Sequence, residues 1–331
     1  MTNNTNTTNF NVLDQLRSRF LMVELSGRTG IRASVRYDEG KHIIQSNKGG
    51  DDSAYSVSQK LYPKGYDEAI KDLRSAYNQV RTHFYANTMP FQHNASGNSQ
   101  GKRLVSNDQT LRGQFMAEHQ RLIDELDRQR ERFAGLINHI VNRIEANDAL
   151  GSDFDRDNYP SPAEIRASYM YEPIVPMPIP GTESVDGIPV PPEMAQEMTD
   201  AMQAQAQAEY RFGVQSQARE TLEYVQTMAT NLSRMVEWHN SDPERRQKRQ
   251  PAVYDSLFQN VEHAASKLRQ FAVPETQEGS AMLELADRIE RTLRPGDISA
   301  DEVKSDLSTA ERQAQRARDA AQAIEDCGLL D

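Results

Sequence analysis

The sequence predicts a mostly helical protein: long antiparallel helices in a coiled-coil-like bundle, with a small N-terminal β-hairpin and a proline-rich strap. Two long stretches repeat apolar residues every three or four positions, which is typical of helices that bury one face. Seven prolines from Tyr171 to Pro192 separate these stretches and exclude a helix there. With 37% hydrophobic and 26% charged residues, solvent-exposed helices are favoured over a compact sheet enzyme.

The N-terminal part is predicted to contain a β-hairpin after a short helix over Val12 to Arg19. Phe20 to Leu25 is a continuous strand-like run, and residues 31 to 37 alternate apolar with polar side chains. Gly27 and Gly30 between the two runs supply the positive φ angles that a short hairpin loop requires. We therefore expect the two runs to pair with each other in antiparallel fashion.

Helical spacing dominates the remainder of the chain. Tyr66 to Tyr85 and Phe115 to Ile144 each carry one apolar stripe, and these two helices are expected to pack antiparallel. A long helix follows the strap, with Gly213 as a position where it can bend. Capping boxes start helices at Ser161 and Ser299. The predicted C-terminal helices cover Glu193 to about Asn240, Val253 to Phe271, Ser280 to Leu293, and Ser299 to about Asp326, before Gly328.

These patterns predict four consecutive regions. Residues 1–9, almost all Asn and Thr, form a disordered lead-in. Residues 10–170 form the β-hairpin and helical-hairpin domain, and residues 171–192 form the strap or linker. Residues 193–331 form a C-terminal helical region.

Charge and cysteine content restrict the cellular setting. A net charge of -11 argues against a protein whose whole surface binds nucleic acid, since phosphate binding requires a basic field. The single cysteine, Cys327, excludes an internal disulfide and fits a reducing cytoplasm. The N-terminus lacks the features of a signal peptide, and no apolar run approaches the roughly 20 residues that a membrane-spanning helix needs. We expect a cytoplasmic or virion protein with no membrane association.

No recognisable catalytic constellation is present. None of the seven histidines has a second histidine four residues away, so a zinc-protease helix is excluded. Gly97 to Arg103 resembles a phosphate-binding loop, but it is one residue short and has Arg where Ser or Thr binds magnesium. We interpret it as a flexible loop. The sequence thus predicts no catalytic, cofactor-binding or metal-binding residue and no cofactor, although an enzyme with an unfamiliar site stays open.

Two sets of residues are candidate binding sites, and each also has a purely structural interpretation. The first set consists of basic residues that could contact phosphates: Arg245, Arg246, Lys248, Arg249, Arg32 and Arg36. Structurally, the same residues are explained as part of a solvated linker and of a solvent-exposed strand face. The second is the strap segment Pro173, Ile174, Val175 and Pro176, whose proline spacing suits peptide-binding domains. An internal brace is the favoured interpretation of the strap, because its apolar residues suit packing on the protein itself. Met194, Met198 and Met202 form either ordinary core, which is favoured, or an adaptable binding face.

The order of motifs resembles a known family over roughly the first 190 residues. The first motifs are a strand-like run that ends at Gly27-Arg28 and a helix that ends in the segment Phe84 to Phe91. They are followed by Phe154-Asp155 and by the segment Tyr159 to Arg166, which precedes the prolines. They are similar to a phage- and mobile-element-associated family often encoded beside MoxR-type AAA ATPases and von Willebrand factor A-domain proteins. This resemblance implies an accessory or adaptor role and supplies no functional residues.

The leading functional hypothesis is a phage-encoded, non-enzymatic helical interaction or adaptor protein. Its expected partner is a protein, either an AAA ATPase and von Willebrand factor A-type complex or a phage structural protein, and homo-oligomers stay open. The alternatives are a nucleic-acid-associated factor that uses the basic cluster and an enzyme with an unrecognised site.

Overall fold

The computed structural model describes residues 11–31, 34–36, 58–91, 101–180, 191–241, 250–293 and 299–330, and this part of the chain is mostly helical. The helices are α1 Val12–Arg19, α2 Glu68–Ala86, α3 Gln109–Ala146, α4 Pro162–Arg166, α5 Pro192–Asn240, α6 Asp255–Phe271, α7 Gln277–Leu293, α8 Ala300–Ser305 and α9 Leu307–Glu325. The strands are β1 Phe20–Val23, β2 Gly27–Arg28, β3 Ser34–Arg36, β4 Ser58–Lys60, β5 Met89–Pro90, β6 Arg103–Ser106, β7 Met170–Tyr171 and β8 Met177–Pro178. The predicted fold class, a mostly helical protein with long helices and a few small antiparallel strands, is confirmed.

The chain divides into two compact units that are not consecutive in sequence. The first unit comprises Met1–Glu24, Asn87–Arg112 and Pro176–Asp331, and the second comprises Leu25–Ala86 and Gly113–Val175. The sequence predicted consecutive regions divided at the strap. The difference arises because strands far apart in the chain pair with β1, which draws three separate segments into the first unit.

The first unit contains a four-stranded antiparallel sheet in the order β5-β6-β1-β8. In β1, Phe20 lies opposite Ser106 of β6, while Met22 lies opposite Met177 of β8. The predicted hairpin is therefore wrong in its pairing. Three of the four β1 side chains are buried, so this strand suits a central place with a neighbour on each side.

The segment after β1 instead builds two small sheets of the second unit. Strand β2 pairs with β7, and β3 pairs with β4. Gly27 serves a close approach rather than a turn, because a Cβ there would lie 2.5 Å from Cδ1 of Tyr171. The predicted hairpin loop is thus replaced by a packing contact.

The longest helix, α5, packs antiparallel to α9 in the first unit. Their direction follows from side-chain contacts: Arg219 Nη2 donates to the Leu330 carbonyl (3.1 Å), and Arg318 Nη1 donates to Ser233 Oγ (3.0 Å). The buried face of α9 is largely alanine, which lets helix backbones approach closely. The predicted single terminal helix is divided at Asp306, whose carboxylate accepts hydrogen bonds from the Ser308 and Thr309 backbone amides and so caps α9.

The Tyr210 side chain joins α5 to the turn between α6 and α7. Its hydroxyl donates to the Phe271 carbonyl (3.1 Å) and accepts the Val273 amide (2.9 Å), and burial raises its pKa to about 12. One side-chain oxygen therefore satisfies two buried backbone groups of the first unit.

Replacing Tyr210 with phenylalanine is expected to reduce the free energy of unfolding of the first unit by about 1–2 kcal/mol, because two buried backbone groups lose their partner. Urea denaturation followed by the fluorescence of the single tryptophan, Trp238, measures this. The control is Tyr254→Phe, at a side chain that is 61% exposed. Equal effects of the two changes would contradict the assigned role of Tyr210.

In the second unit, α2 and α3 pack antiparallel, as predicted. Arg132 Nη1 contacts Asp72 Oδ2 at 3.0 Å near one end, and His83 Nε2 lies 3.3 Å from the Phe115 carbonyl near the other. The capping box at Ser161 is also confirmed at the start of α4. The core that these helices share contains Leu73, Val80, Leu126, Phe133 and Ile137. No helix within the described ranges is long and apolar enough to cross a membrane.

Candidate protein-interaction site

No side chain of α5 is fully buried between Glu193 and Gln205. We call residues 193–205 the acidic methionine segment: its side chains are all exposed or half-buried, and the next residue, Ala206, is buried. The segment is rich in Ala, Gln, Glu and Met, which have high helix propensity. Local propensity therefore contributes to the stability of this part of the helix.

Three methionines form a stripe along this segment. Met194, Met198 and Met202 are spaced by four residues, so each lies about 40° further around the helix than the one before. Met194 is 49% exposed, Met198 is half-buried, and Met202 packs against the core of the first unit. The favoured interpretation as ordinary core thus fits Met202 and fails for Met194, about half of which is exposed to solvent.

All the charges of the segment are negative. Glu193, Glu197 and Asp200 are exposed, and the chain holds no Lys, Arg or His from Pro192 until Arg211. By helical geometry these carboxylates lie on one flank of the stripe. The result is an adaptable apolar stripe beside an acidic edge, on a stretch of helix that the described residues of the first unit cover only in part.

The predicted phosphate-contact residues fall largely outside what the structure describes. Arg245, Arg246, Lys248, Arg249 and Arg32 lie outside the described residues, and Arg36 is described only through its β3 backbone, opposite Ser58. The nucleic-acid hypothesis therefore stays a prediction. Arg28, on β2, lines a hollow of about 810 Å³ together with Asp157 and Glu164, so the surroundings of this cation carry both signs of charge.

The strap lies partly on its own protein. Ile174 and Ile179 are buried, whereas Val175 is 67% exposed and Pro173 is also exposed. Strand β8 within the strap pairs with β1. This arrangement agrees with the favoured internal brace, and capture of a partner by Pro173 to Pro176 stays a prediction.

The segment that resembles a phosphate-binding loop ends in a structural arginine. Arg103 is buried and donates from Nε to Thr88 Oγ1 (2.7 Å) and from Nη2 to the Thr88 carbonyl (2.8 Å). Lys267, a second buried cation of the first unit, donates to Glu220 Oε2 at 3.0 Å. Both cations are engaged within the protein, as buried charges require.

A groove of about 720 Å³ in the second unit is lined by polar groups that include Lys71, Arg74, His83 and Glu118. His119 lies close by, with its ring 5.8 Å from that of His83, and is only 2% exposed. Neither nitrogen of its ring has a hydrogen-bond partner. Burial, and secondarily the charge of His83, lowers the pKa of His119 to about 4, so its imidazole is neutral at pH 7.

His83 and His119 do not form part of a metal site. Among the residues that the structure describes, no group of three or more His, Cys, Asp or Glu side chains is arranged to hold a metal ion. The groove is therefore a polar surface that lies next to a buried, neutral histidine. The acidic methionine segment is the stronger candidate, because it combines exposure, apolar character and a single sign of charge.

No family model, curated protein or solved structure matches this chain. The resemblance to a phage-associated family rests on the quoted motifs and stays a prediction. Functional inference therefore depends on the geometry and chemistry of the residues themselves.

Proposed function

We propose that the protein is a non-enzymatic helical adaptor that binds another protein through the acidic methionine segment. The observation that supports this is a thirteen-residue stretch of helix, residues 193–205, in which no side chain is fully buried and which yet carries an apolar stripe. Helix with little tertiary packing is marginally stable in water, so burial against a partner would stabilise it. Methionine also suits this role, because its flexible side chain adapts to irregular apolar surfaces.

The energy available from the stripe sets the kind of interaction. Full burial of a methionine side chain contributes about 1.5–3 kcal/mol, and Met194 and Met198 are already partly covered. Together they would contribute about 2 kcal/mol. The segment therefore suits a reversible contact that is reinforced by charge, rather than an obligate interface.

The family resemblance supports a particular setting for this adaptor. It favours a phage-encoded protein in the host cytoplasm, accessory to an AAA ATPase and von Willebrand factor A-type complex, or a component of virion assembly. In either setting the partner is a protein.

Site-specific photo-crosslinking in the native cell tests this function. A benzophenone amino acid placed at position 194 is expected to capture one protein in stoichiometric yield, and mass spectrometry then identifies it as an ATPase or a structural protein. The matched control places the same amino acid at Leu136, which is also partly exposed but lies on α3. Equal capture at both positions, or none at position 194, would remove the basis of the proposal.

A further inference from the structure

We propose that the acidic methionine segment binds an amphipathic helix that carries lysine or arginine beside its apolar face. This inference rests on the proposed function and names the chemical class of its partner. Three features of the segment carry it: the length of the stripe, the sign of its charges and the way exposure changes along it.

The length of the stripe fits a helix as its occupant. The open part of the stripe, Met194 and Met198, spans four residues or about 6 Å along the helix axis, and Met202 continues the stripe to about 12 Å at the edge of the core. Two turns of a partner helix present apolar side chains at i, i+3 or i+4, and i+7 over a similar length. An extended peptide gains less here, because a helix surface offers no unpaired backbone groups for β-augmentation.

The charge of the segment selects a basic partner. Glu193, Glu197 and Asp200 are exposed on one flank, and no cation of the segment offsets them. A partner with Lys or Arg beside its apolar face would place opposite charges along this flank, whereas an acidic helix would be repelled. The net charge of -11 adds long-range attraction for a basic chain.

The same charges disfavour symmetric self-association through this surface. A two-fold dimer with antiparallel helices would place the acidic flanks of the two copies on the same side of the interface, so carboxylates of one copy would approach those of the second. Like charges brought together at an interface oppose binding. A basic helix from another polypeptide is the better complement.

The change in exposure along the stripe indicates which residues contribute most to the contact. Met202 packs at the edge of the core, Met198 is half-buried, and Met194 is the most exposed of the three. The apolar surface open to a partner therefore concentrates around Met194 and Met198, next to Glu193 and Glu197. Variants at these four positions separate the apolar contribution to binding from the electrostatic one.

Binding of a synthetic helix of leucine and lysine to the full-length protein tests the inference. We expect a fourteen-residue peptide of this kind to bind weakly, with a Kd of about 1 mM in an NMR titration, and to shift the ¹³C-methyl signals of Met194 and Met198. A peptide with glutamate in place of lysine should not bind. The double change Met194→Gln and Met198→Gln keeps the charge and is expected to raise the Kd about tenfold, equivalent to about 1.4 kcal/mol.

A matched pair of charge variants guards against simple attraction to an acidic protein. Glu193→Gln with Glu197→Gln should weaken binding several-fold more than Glu284→Gln with Glu311→Gln, which removes two exposed carboxylates from α7 and α9. Equal weakening by the two pairs, or a Kd unaffected by the methionine changes, would overturn the inference.

The other outcomes separate this inference from the proposed function. If crosslinking at position 194 captures a protein while the leucine-lysine peptide fails to bind, the adaptor function stands and the basic-helix partner is wrong. If sedimentation shows dimers that the methionine changes abolish, the occupant is a second copy, which also overturns the inference. If crosslinking captures nothing, the adaptor function itself fails.

Discussion

Replacing Gly213 with alanine is expected to lower the free energy of unfolding of the first unit by about 2 kcal/mol. A Cβ at this position would lie 2.3 Å from the carbonyl oxygen of Pro90 and 3.1 Å from Cε of Met89. The backbone of β5 has little freedom to retreat, because Met89 pairs with Leu104 in the sheet. Overpacking of this kind costs about 1–3 kcal/mol, and contact with a backbone atom lies at the upper end. The gain of about 1 kcal/mol from alanine in a helix only partly offsets it.

Gly135 provides the matched control, since it is also a mid-helix glycine but its Cβ would meet nothing within 4 Å. Gly135→Ala is expected to stabilise the second unit by up to about 1 kcal/mol. Urea denaturation measures both effects, by Trp238 fluorescence for the first unit and by far-UV circular dichroism for the second. Stabilisation by Gly213→Ala would show that β5 does not approach α5 this closely.

Replacing His119 with phenylalanine is expected to stabilise the second unit and to remove most of its sensitivity to mild acid. The ring lies 2% exposed among Phe84 and Phe115, and neither of its nitrogens is hydrogen-bonded. Phenylalanine removes two buried polar atoms that lack partners, which is worth about 1–2 kcal/mol at pH 7. Its ring also fits an existing aromatic cluster.

The pH dependence follows from the lowered pKa of His119, about 4 in the folded protein against about 6.5 when unfolded. Between these values the unfolded state binds more protons, so stability is fully present above pH 6.5 and is lost as the pH falls toward 4. The largest loss is about 3 kcal/mol, since each pKa unit corresponds to about 1.36 kcal/mol. His83 is the ionisable group that adds to this lowering.

Urea midpoints at pH 7.5 and pH 5.0 measure this effect by circular dichroism. The wild-type midpoint should fall at pH 5.0, and the fall should be much smaller in His119→Phe. His139→Phe, at an exposed histidine of the same helix, is the control and should retain the wild-type fall. An unchanged difference between the two pH values in His119→Phe would assign the acid sensitivity to other groups.

The helices were predictable from sequence because their signals are local. The apolar spacing of Phe115 to Ile144 and the capping boxes at Ser161 and Ser299 act within a few residues, and the structure contains each of these features. Strand pairing is not local. The pattern of Phe20 to Val23 identified a strand correctly but not its partners, which lie more than 80 and 150 residues further along the chain.

The roles of two glycines were also not predictable, because they too depend on residues that are distant in the sequence. Gly213 suggested a bend and Gly27 a hairpin loop, but both accommodate a neighbouring group that comes close only in the folded chain. The candidate site was predictable in part: the spacing of Met194, Met198 and Met202 was visible, whereas the extent of their burial depends on which elements cover α5. Their functional interpretation therefore required the structure.

The interrupted order of the first unit has a consequence for synthesis on the ribosome. The central strand β1 emerges long before its neighbour β8 and the long helices α5 and α9, which follow only after about residue 176. The segments of the second unit are complete by Val175, so that unit has all its residues while the first is still missing more than half of its own. The nascent protein must therefore keep the apolar strand Phe20–Val23 from aggregating until the C-terminal helices have left the exit tunnel.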